Sequence, residues 1–226
     1  MKKLTVISLG GSLIFPEEID VRFLKKFKKL IVEQIAKGHN FILITGGGKI
    51  CRKYQQALKA ISPVSGDELD WMGIFTTQTN SNLLRLMFGN LAHKKIVGDP
   101  EKRITYNSPV LTAAGWLPGH STDMDAVQLA KTYGADTIVN LSNIDFLYSK
   151  DPRKFKDAKK IEKISWDGLL KITGRKWKPG LNAPFDPIAA LLAKKLKLKA
   201  IIADGKNLKN LQNILENKKF IGTTIV

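Results

Sequence analysis

Three short stretches of this 226-residue chain set glycine beside groups that handle charged oxygen. Phe41 to Tyr54 reads FILITGGGKICRKY: β-branched and apolar residues end in Gly46, Gly47 and Gly48, and a basic amphipathic segment follows. Leu4 to Ile14, LTVISLGGSLI, repeats the plan with Gly10, Gly11 and Ser12. Each reads as a strand, a turn without side chains, and a helix start. Glycine lets backbone approach a ligand closely, and the unpaired N–H groups of a helix's first turn favour anions. Lys49, Arg52 and Lys53 are cations at the wrong end of a helix dipole, so helix stability does not account for them; phosphate would. Lys49 and Arg52 are three apart and share a helix face.

The third stretch, Pro118 to Asp123, supplies a glycine, the His120 imidazole, the Ser121 and Thr122 hydroxyls and a carboxylate. A capping hydroxyl and an acid in the first helical turn explain part of it. They leave the open Pro-Gly-His turn unexplained. Residues 142–154, SNIDFLYSKDPRK, read by themselves as a polar loop with Asp-Pro turn chemistry. Cys51, the single cysteine, reads as a packed small residue and points to a reducing cytoplasm.

The elements that must position these groups alternate between strand and helix, which argues for an α/β fold with a mainly parallel sheet covered on both faces. A helix is expected over 21–37, capped by Asp20 and closed by Gly38, with Val21, Leu24, Phe27, Leu30, Ile31 and Ile35 buried. Strand 41–45, a helix to about Lys59 and a longer helix from Asp67 to Met87 follow. A short strand is expected near 95–97 and another at 110–113, then a helix to Tyr133 and a strand at 137–141. Asp186 would cap a helix over 187–196 with proline in its first turn. Strand 199–203, helix 208–215 and strand 223–226 complete the reading. In an open parallel sheet the ligand lies beyond the carboxyl ends of the strands, where the glycine turns would meet.

The charge is strongly positive, 37 Lys plus Arg against 20 Asp plus Glu. The lysines are scattered, without aromatic interleaving or a basic tail, which argues against nucleic acid as the main partner. No segment approaches membrane-spanning length, and the N-terminus does not read as a signal peptide.

Taken in order, VISLGGS (6–12), LITGGGKICRKY (43–54), DWMG (70–73), PGHSTDMDA (118–126), LSNIDFLYSKDP (141–152), PFDPIAA (184–190) and IGTTIV (221–226) resemble the amino-acid kinase superfamily. Within it they are most similar to uridylate (UMP) kinases of the archaeal and bacterial kind. The resemblance implies a three-layer αβα sandwich that binds ATP and UMP end to end and transfers the γ-phosphoryl group directly. It implies one domain, with an acceptor half over about 1–135 and an ATP half over about 136–226. It also implies Mg²⁺ carried on the phosphates and a homo-oligomer, a hexamer.

By matching position, Gly47 and the 116–122 loop (Trp116, Leu117, Pro118, Gly119, His120, Ser121, Thr122) would hold UMP, with Asp70 accepting hydrogen bonds from its nucleoside. Gly11, Ser12, Gly48 and Arg52 would meet the ATP phosphates. Ser142, Tyr148 and Asp151 would line the adenosine pocket. Asp123 would organise the centre, with Asp186 nearby. Many superfamily members carry a lysine two residues before the first glycine pair. Here that residue is Ser8, so Arg52 and Lys49 are the candidates for the missing charge. Phe146 stands where glycine is usual after Asp145, and 89–109 is short. A nucleotide- or oxyanion-binding protein on the same fold is the alternative reading, and Ser8 is its support; another small-molecule kinase of the superfamily is a further one.

Overall fold

The computed structural model describes residues 3–150, 152, 154–174 and 184–226. In chain order its elements are β1 (Lys3–Leu9), α1 (Gly11–Ile14), α2 (Val21–Ala36), β2 (His39–Thr45), α3 (Gly48–Ile61), α4 (Gly66–Phe88), β3 (Val110–Ala113), α5 (Thr122–Tyr133), β4 (Thr137–Ser142), β5 (Leu147–Tyr148), β6 (Lys160–Ile161), β7 (Lys163–Ile164), α6 (Trp166–Thr173), α7 (Pro187–Lys195), β8 (Lys199–Asp204), α8 (Leu208–Leu215) and β9 (Thr223–Ile225).

One seven-stranded sheet runs β3-β2-β1-β4-β8-β9-β7, and β5 pairs with β6 in a small separate ribbon. Within the seven-stranded sheet pairing is parallel except between β8 and β9; the β5–β6 pair is antiparallel. The topology reverses at β1, which lies between β2 and β4. The turns after β1 and β2 are therefore neighbours at the strand carboxyl ends, where open sheets bind ligands.

Strand side chains alternate between faces, so the sheet builds two cores. Val6, Ile42, Ile44, Leu111 and Ile138 pack with α5, α6 and α7. Ile7, Leu9, Phe41, Leu43, Val139 and Leu141 pack with α1, α2, α8 and the end of α4. This is the expected three-layer αβα sandwich. Only Cys51 of α3 is buried; that helix lies outside the sandwich, against α4 and α1.

The sequence reading needs correction in four places. Val21 is 53% exposed, while Phe23 and Gln34 join the buried face of α2; as the first helical residue Val21 lies at the edge of the stripe. The strand expected near 95–97 is a single bridge between Val97 and Ala113, because Lys94 and Lys95 leave Val97 as the one residue there with a fully apolar, buried side chain. Helix α6 was missed although Ser165 caps it and Trp166, Leu169 and Leu170 are buried at helical spacing. The short α1 and the two-residue strands β5, β6 and β7 are held by tertiary partners and have no periodicity to read.

Candidate active site

The turns after β1 and β2 interlock backbone to backbone. A Cβ on Gly11 would collide with the main chain of Gly46, Gly47 and Gly48, and one on Gly48 with Gly11 and Ser12. Gly48 also has φ +70°, a conformation that favours glycine. The turns are tied down by Gly10 N–H to Leu141 O (2.8 Å) and Gly46 N–H to Leu9 O (3.0 Å), and by Asn80 Nδ2 to Gly46 O (2.9 Å).

The helix starts show what these turns do. Asp20, Ser65, Ser121, Ser165, Asp186 and Asn207 cap α2, α4, α5, α6, α7 and α8 with their side chains. The caps of α1 and α3 are Gly10 and Gly47, which have none to give. The N–H groups that open each helix have no partner inside it; in α1 Leu13 N–H already bonds Gly10 O (2.9 Å), which leaves Gly11 and Ser12. Two helix N-termini thus open side by side onto the crevice, a ready anion site.

Helix α4 braces the turns from behind. The Thr45 hydroxyl donates to Thr77 O (3.0 Å) and lies 2.8 Å from Ser81 Oγ, which donates to Ala113 O (2.5 Å). Gly115 N–H donates to Thr77 Oγ1 (2.9 Å). Sequence reasoning missed Thr45, Thr77, Asn80 and Ser81. The readable signal was a set of polar residues at 77, 80 and 81, one helix face.

Beyond β3, carboxylates fix the turn that leads into α5. Asp70 Oδ2 accepts Gly119 N–H (2.8 Å). Asp125, fully buried, accepts Trp116 N–H at 3.3 Å. Ser121 receives Met124 N–H at 3.2 Å as the cap of α5 and donates its own proton to Asp186 Oδ2 at 2.5 Å. The other oxygen of Asp186 caps α7 through Ile188 and Ala189 N–H. Asp123 receives Asn140 Nδ2 (2.9 Å) and Asp186 N–H (3.0 Å). Burial, with the Asp186 charge adding to it, pushes the Asp123 carboxyl up to about 7 against the pull of those two donors. Asp123 thus joins β4, α5 and α7 at one point. Asn140 is a further residue the sequence reading missed; its place on β4 opposite Ser8 of β1 becomes visible only with the sheet register.

The predicted cations part company. Lys49 is in an ion pair with Glu17, both exposed; such a pair is weak and exchangeable. Arg52, one turn on and exposed, makes no hydrogen bond or ion pair among the described residues. On the other side of the sheet, Ser142 ends β4 and accepts Gly205 N–H (2.9 Å). The Tyr148 hydroxyl donates to Asp145 (3.0 Å), which also takes Lys160 at 3.4 Å. Phe146 lies under the Lys160 ammonium at 4.9 Å. Asp151 lies outside the described residues.

A cavity of about 570 Å³ between α3 and α4 is lined by Leu58, Val64, Glu68, Trp71, Met72 and Phe75. It holds none of the sequence-derived site residues, and its walls suit an apolar partner rather than phosphate. The described residues contain no cluster of three or more His, Cys, Asp or Glu fit to hold a metal, and none of their helices is long and apolar enough to cross a membrane.

Against known proteins, the Amino acid kinase family matches residues 3–204. A uridylate kinase of Thermoplasma volcanium is 33% identical over all of this chain and 98% of its own length. A uridylate kinase of Pyrococcus abyssi is 33% identical over 97% of this chain and 98% of its own. The crystal structure of a uridylate kinase from Archaeoglobus fulgidus superposes with a TM-score of 0.84 at 30% identity, covering all of both chains.

Proposed function

The chain belongs to the amino acid kinase family, and we infer that it transfers the γ-phosphoryl group of ATP to UMP, giving UDP and ADP. The observation that carries this reading is the pair of uncapped helix N-termini at the interlocked glycine turns. Phosphoryl transfer asks for in-line positioning and for donors around the equatorial oxygens, without a covalent relay by the protein.

In this reading the amides of Gly11, Ser12 and Gly48 cradle the ATP phosphates. Gly47 and the 116–122 turn hold UMP, and Asp70 meets the nucleoside while it keeps Gly119 in place. Arg52 supplies the charge that Ser8 does not, since a guanidinium holds two phosphate oxygens at once. Lys49 assists once released from Glu17. Asp123 organises the centre, and Asp186 positions Asp123 through its backbone N–H. Ser142, Tyr148 and Asp151 serve adenosine, which makes about 136–226 the donor half and about 1–135 the acceptor half. Mg²⁺ fits this donor set as a companion of the phosphates that keeps its waters, where it neutralises phosphate charge. The single cysteine fits a reducing cytoplasm, and the exposed apolar face of α3 and α4 (Tyr54, Ile61, Trp71, Phe75) fits a homo-oligomer.

The test is a coupled assay of ADP formation with UMP, CMP, AMP and GMP side by side. UMP should give the highest kcat/KM, and omission of Mg²⁺ should abolish turnover. Absence of UMP-dependent turnover at saturating ATP-Mg²⁺ overturns the reading in favour of a nucleotide-binding protein.

A further inference from the structure

Asp125 is out of place for a residue with only a packing role. Its position on α5 is wholly buried, its neighbours Ala126, Val127, Leu129 and Ala130 are core, and yet it carries a carboxylate. One oxygen receives Trp116 N–H across 3.3 Å, a long bond for a carboxylate. The other, Oδ1, has no hydrogen-bond partner. A buried carboxylate left with an unpaired oxygen is costly. The nearest group able to relieve it is the imidazole of His120, with Nδ1 at 3.7 Å, just beyond hydrogen-bond range. The His120 ring stands edge-on to Trp116 with centroids 5.2 Å apart, so both partners of Asp125 belong to one turn.

The charges around the pair are one-sided. Asp123 lies on the same helix, Asp186 reaches the turn from α7 through Ser121, and Asp70 reaches it from α4 through Gly119. Among the described residues no lysine or arginine bonds to Asp125. Burial foremost, and Asp123 to a smaller degree, push the Asp125 carboxyl up to about 7, against the Trp116 N–H. His120 is therefore the one cation that the acceptor-side turn can offer.

We propose that Asp125 is a positioning residue of the acceptor site: when a nucleoside monophosphate binds, His120 takes a proton from solvent and closes its Nδ1–H onto the orphan Oδ1, fixing the 116–120 turn around the acceptor phosphate. The proposal rests on the reading of this turn as the UMP site. The phosphate dianion stabilises the imidazolium, and the imidazolium completes the hydrogen bonding of Asp125. The turn is left slightly open without acceptor and closed with it.

Calorimetric titration of UMP into the full chain at pH 8, where the free phosphate is already a dianion, measures this directly in buffers of different ionisation enthalpy. The intact protein should take up about half a proton or more per UMP bound. Asp125→Asn and His120→Gln should each abolish the uptake and weaken UMP roughly tenfold while leaving ATP affinity unchanged. The double variant should be no weaker than the weaker single one. His120→Gln alters an exposed ring and carries the test if Asp125→Asn does not fold. UMP binding with an unchanged proton count, or losses that add in the double variant, overturns the pair while the acceptor reading stands. Absence of UMP binding to the intact protein overturns both.

Discussion

The two regions proposed to face the acceptor and donor nucleotides are built in opposite ways. On the acceptor side, residues 115–125 are pinned from α4 by Asp70 and Thr77, from α5 by Ser121 and Asp125, and from α7 by Asp186. Most of these partners are buried, and the turn's backbone N–H groups serve as the handles. On the proposed donor side, β5 and β6 form a two-strand ribbon. It is tied to the sheet at Thr223, whose Oγ1 accepts Leu147 N–H at 2.8 Å and donates to Ile161 O, and by Leu147 in the core; its charged side chains make exposed contacts such as Lys150 to Asp157 (2.6 Å). A preorganised network makes each member expensive to lose, whereas exposed pairs are worth little. Acceptor-side changes should therefore be large and specific to UMP, and donor-side changes small.

In the proposed reading the glycine turns serve both nucleotides, so they set the upper limit of effect. Gly48→Ala adds a methyl where the Gly11 backbone already lies, at a φ that costs an L-residue roughly 1–2 kcal/mol before any clash. Turnover should fall below detection and Tm should drop, read by assay and thermal melt together. Near-normal kinetics would mean that the turns separate in solution. Next comes Arg52→Ala, expected to lower kcat on the order of 10²-fold, the scale of a lost electrostatic donor, with a smaller change in the ATP KM. Lys49→Ala should cost less, because Lys49 is engaged with Glu17. Equal losses would return Lys49 to the centre, and near-normal turnover in both variants and their double would remove the cations from it.

How much of this was legible depended on whether the information is local. The glycine turns, the Asp20 and Asp186 caps, a capping hydroxyl at Ser121 or Thr122 and most helix limits follow from neighbouring residues, and the structure has them, with Ser121 as the cap. The braces do not. Thr45, Thr77 and Ser81 matter because α4 crosses behind β2 and β3, and Asn140 because β4 pairs with β1 in register with Ser8. Nothing in the sequence set Asp125 apart, and only its burial does so. The match of motifs named the family, but it could not tell that Lys49 has a carboxylate partner and Arg52 none in the described residues.

Asp70→Asn tests the acceptor side at its outer edge. It weakens the Gly119 hold and removes the charge offered to the nucleoside, so the UMP KM should rise roughly tenfold, as for a lost bond to a charged group of about 1–3 kcal/mol. The ATP KM should not move, and equal shifts for both nucleotides would detach Asp70 from the acceptor. A smaller signal concerns stability. Because the Asp125 carboxyl is raised to about 7 from an ordinary value near 3.8, the folded state binds more protons than the unfolded one between those limits. Stability is therefore lost as pH climbs through that window. Asp125→Asn should raise Tm by a few degrees at pH 8, and the gain should vanish by about pH 4. A gain independent of pH would mean that the carboxylate is not desolvated.

The smallest effect belongs to the donor side. Tyr148 donates to Asp145 at 3.0 Å, and Lys160 reaches the same carboxylate at 3.4 Å. Burial works against the ionised Asp145, but the bonds from Tyr148 and Lys160 prevail and hold it below its ordinary range. All three groups are open to water, so screening leaves little of that interaction for binding. Tyr148→Phe keeps the ring for any stacking on adenosine and removes only the hydroxyl. The ATP KM should change by less than about fivefold, which is the 0–1 kcal/mol range of an exposed pair, with kcat and the UMP KM untouched. Tyr148→Ala also removes the ring, and a larger loss of ATP affinity there would show that the ring, not the bond, meets the base. A tenfold or greater loss from Tyr148→Phe alone would mean that the ribbon is as preorganised as the acceptor turn, and the contrast between the two sides would fall.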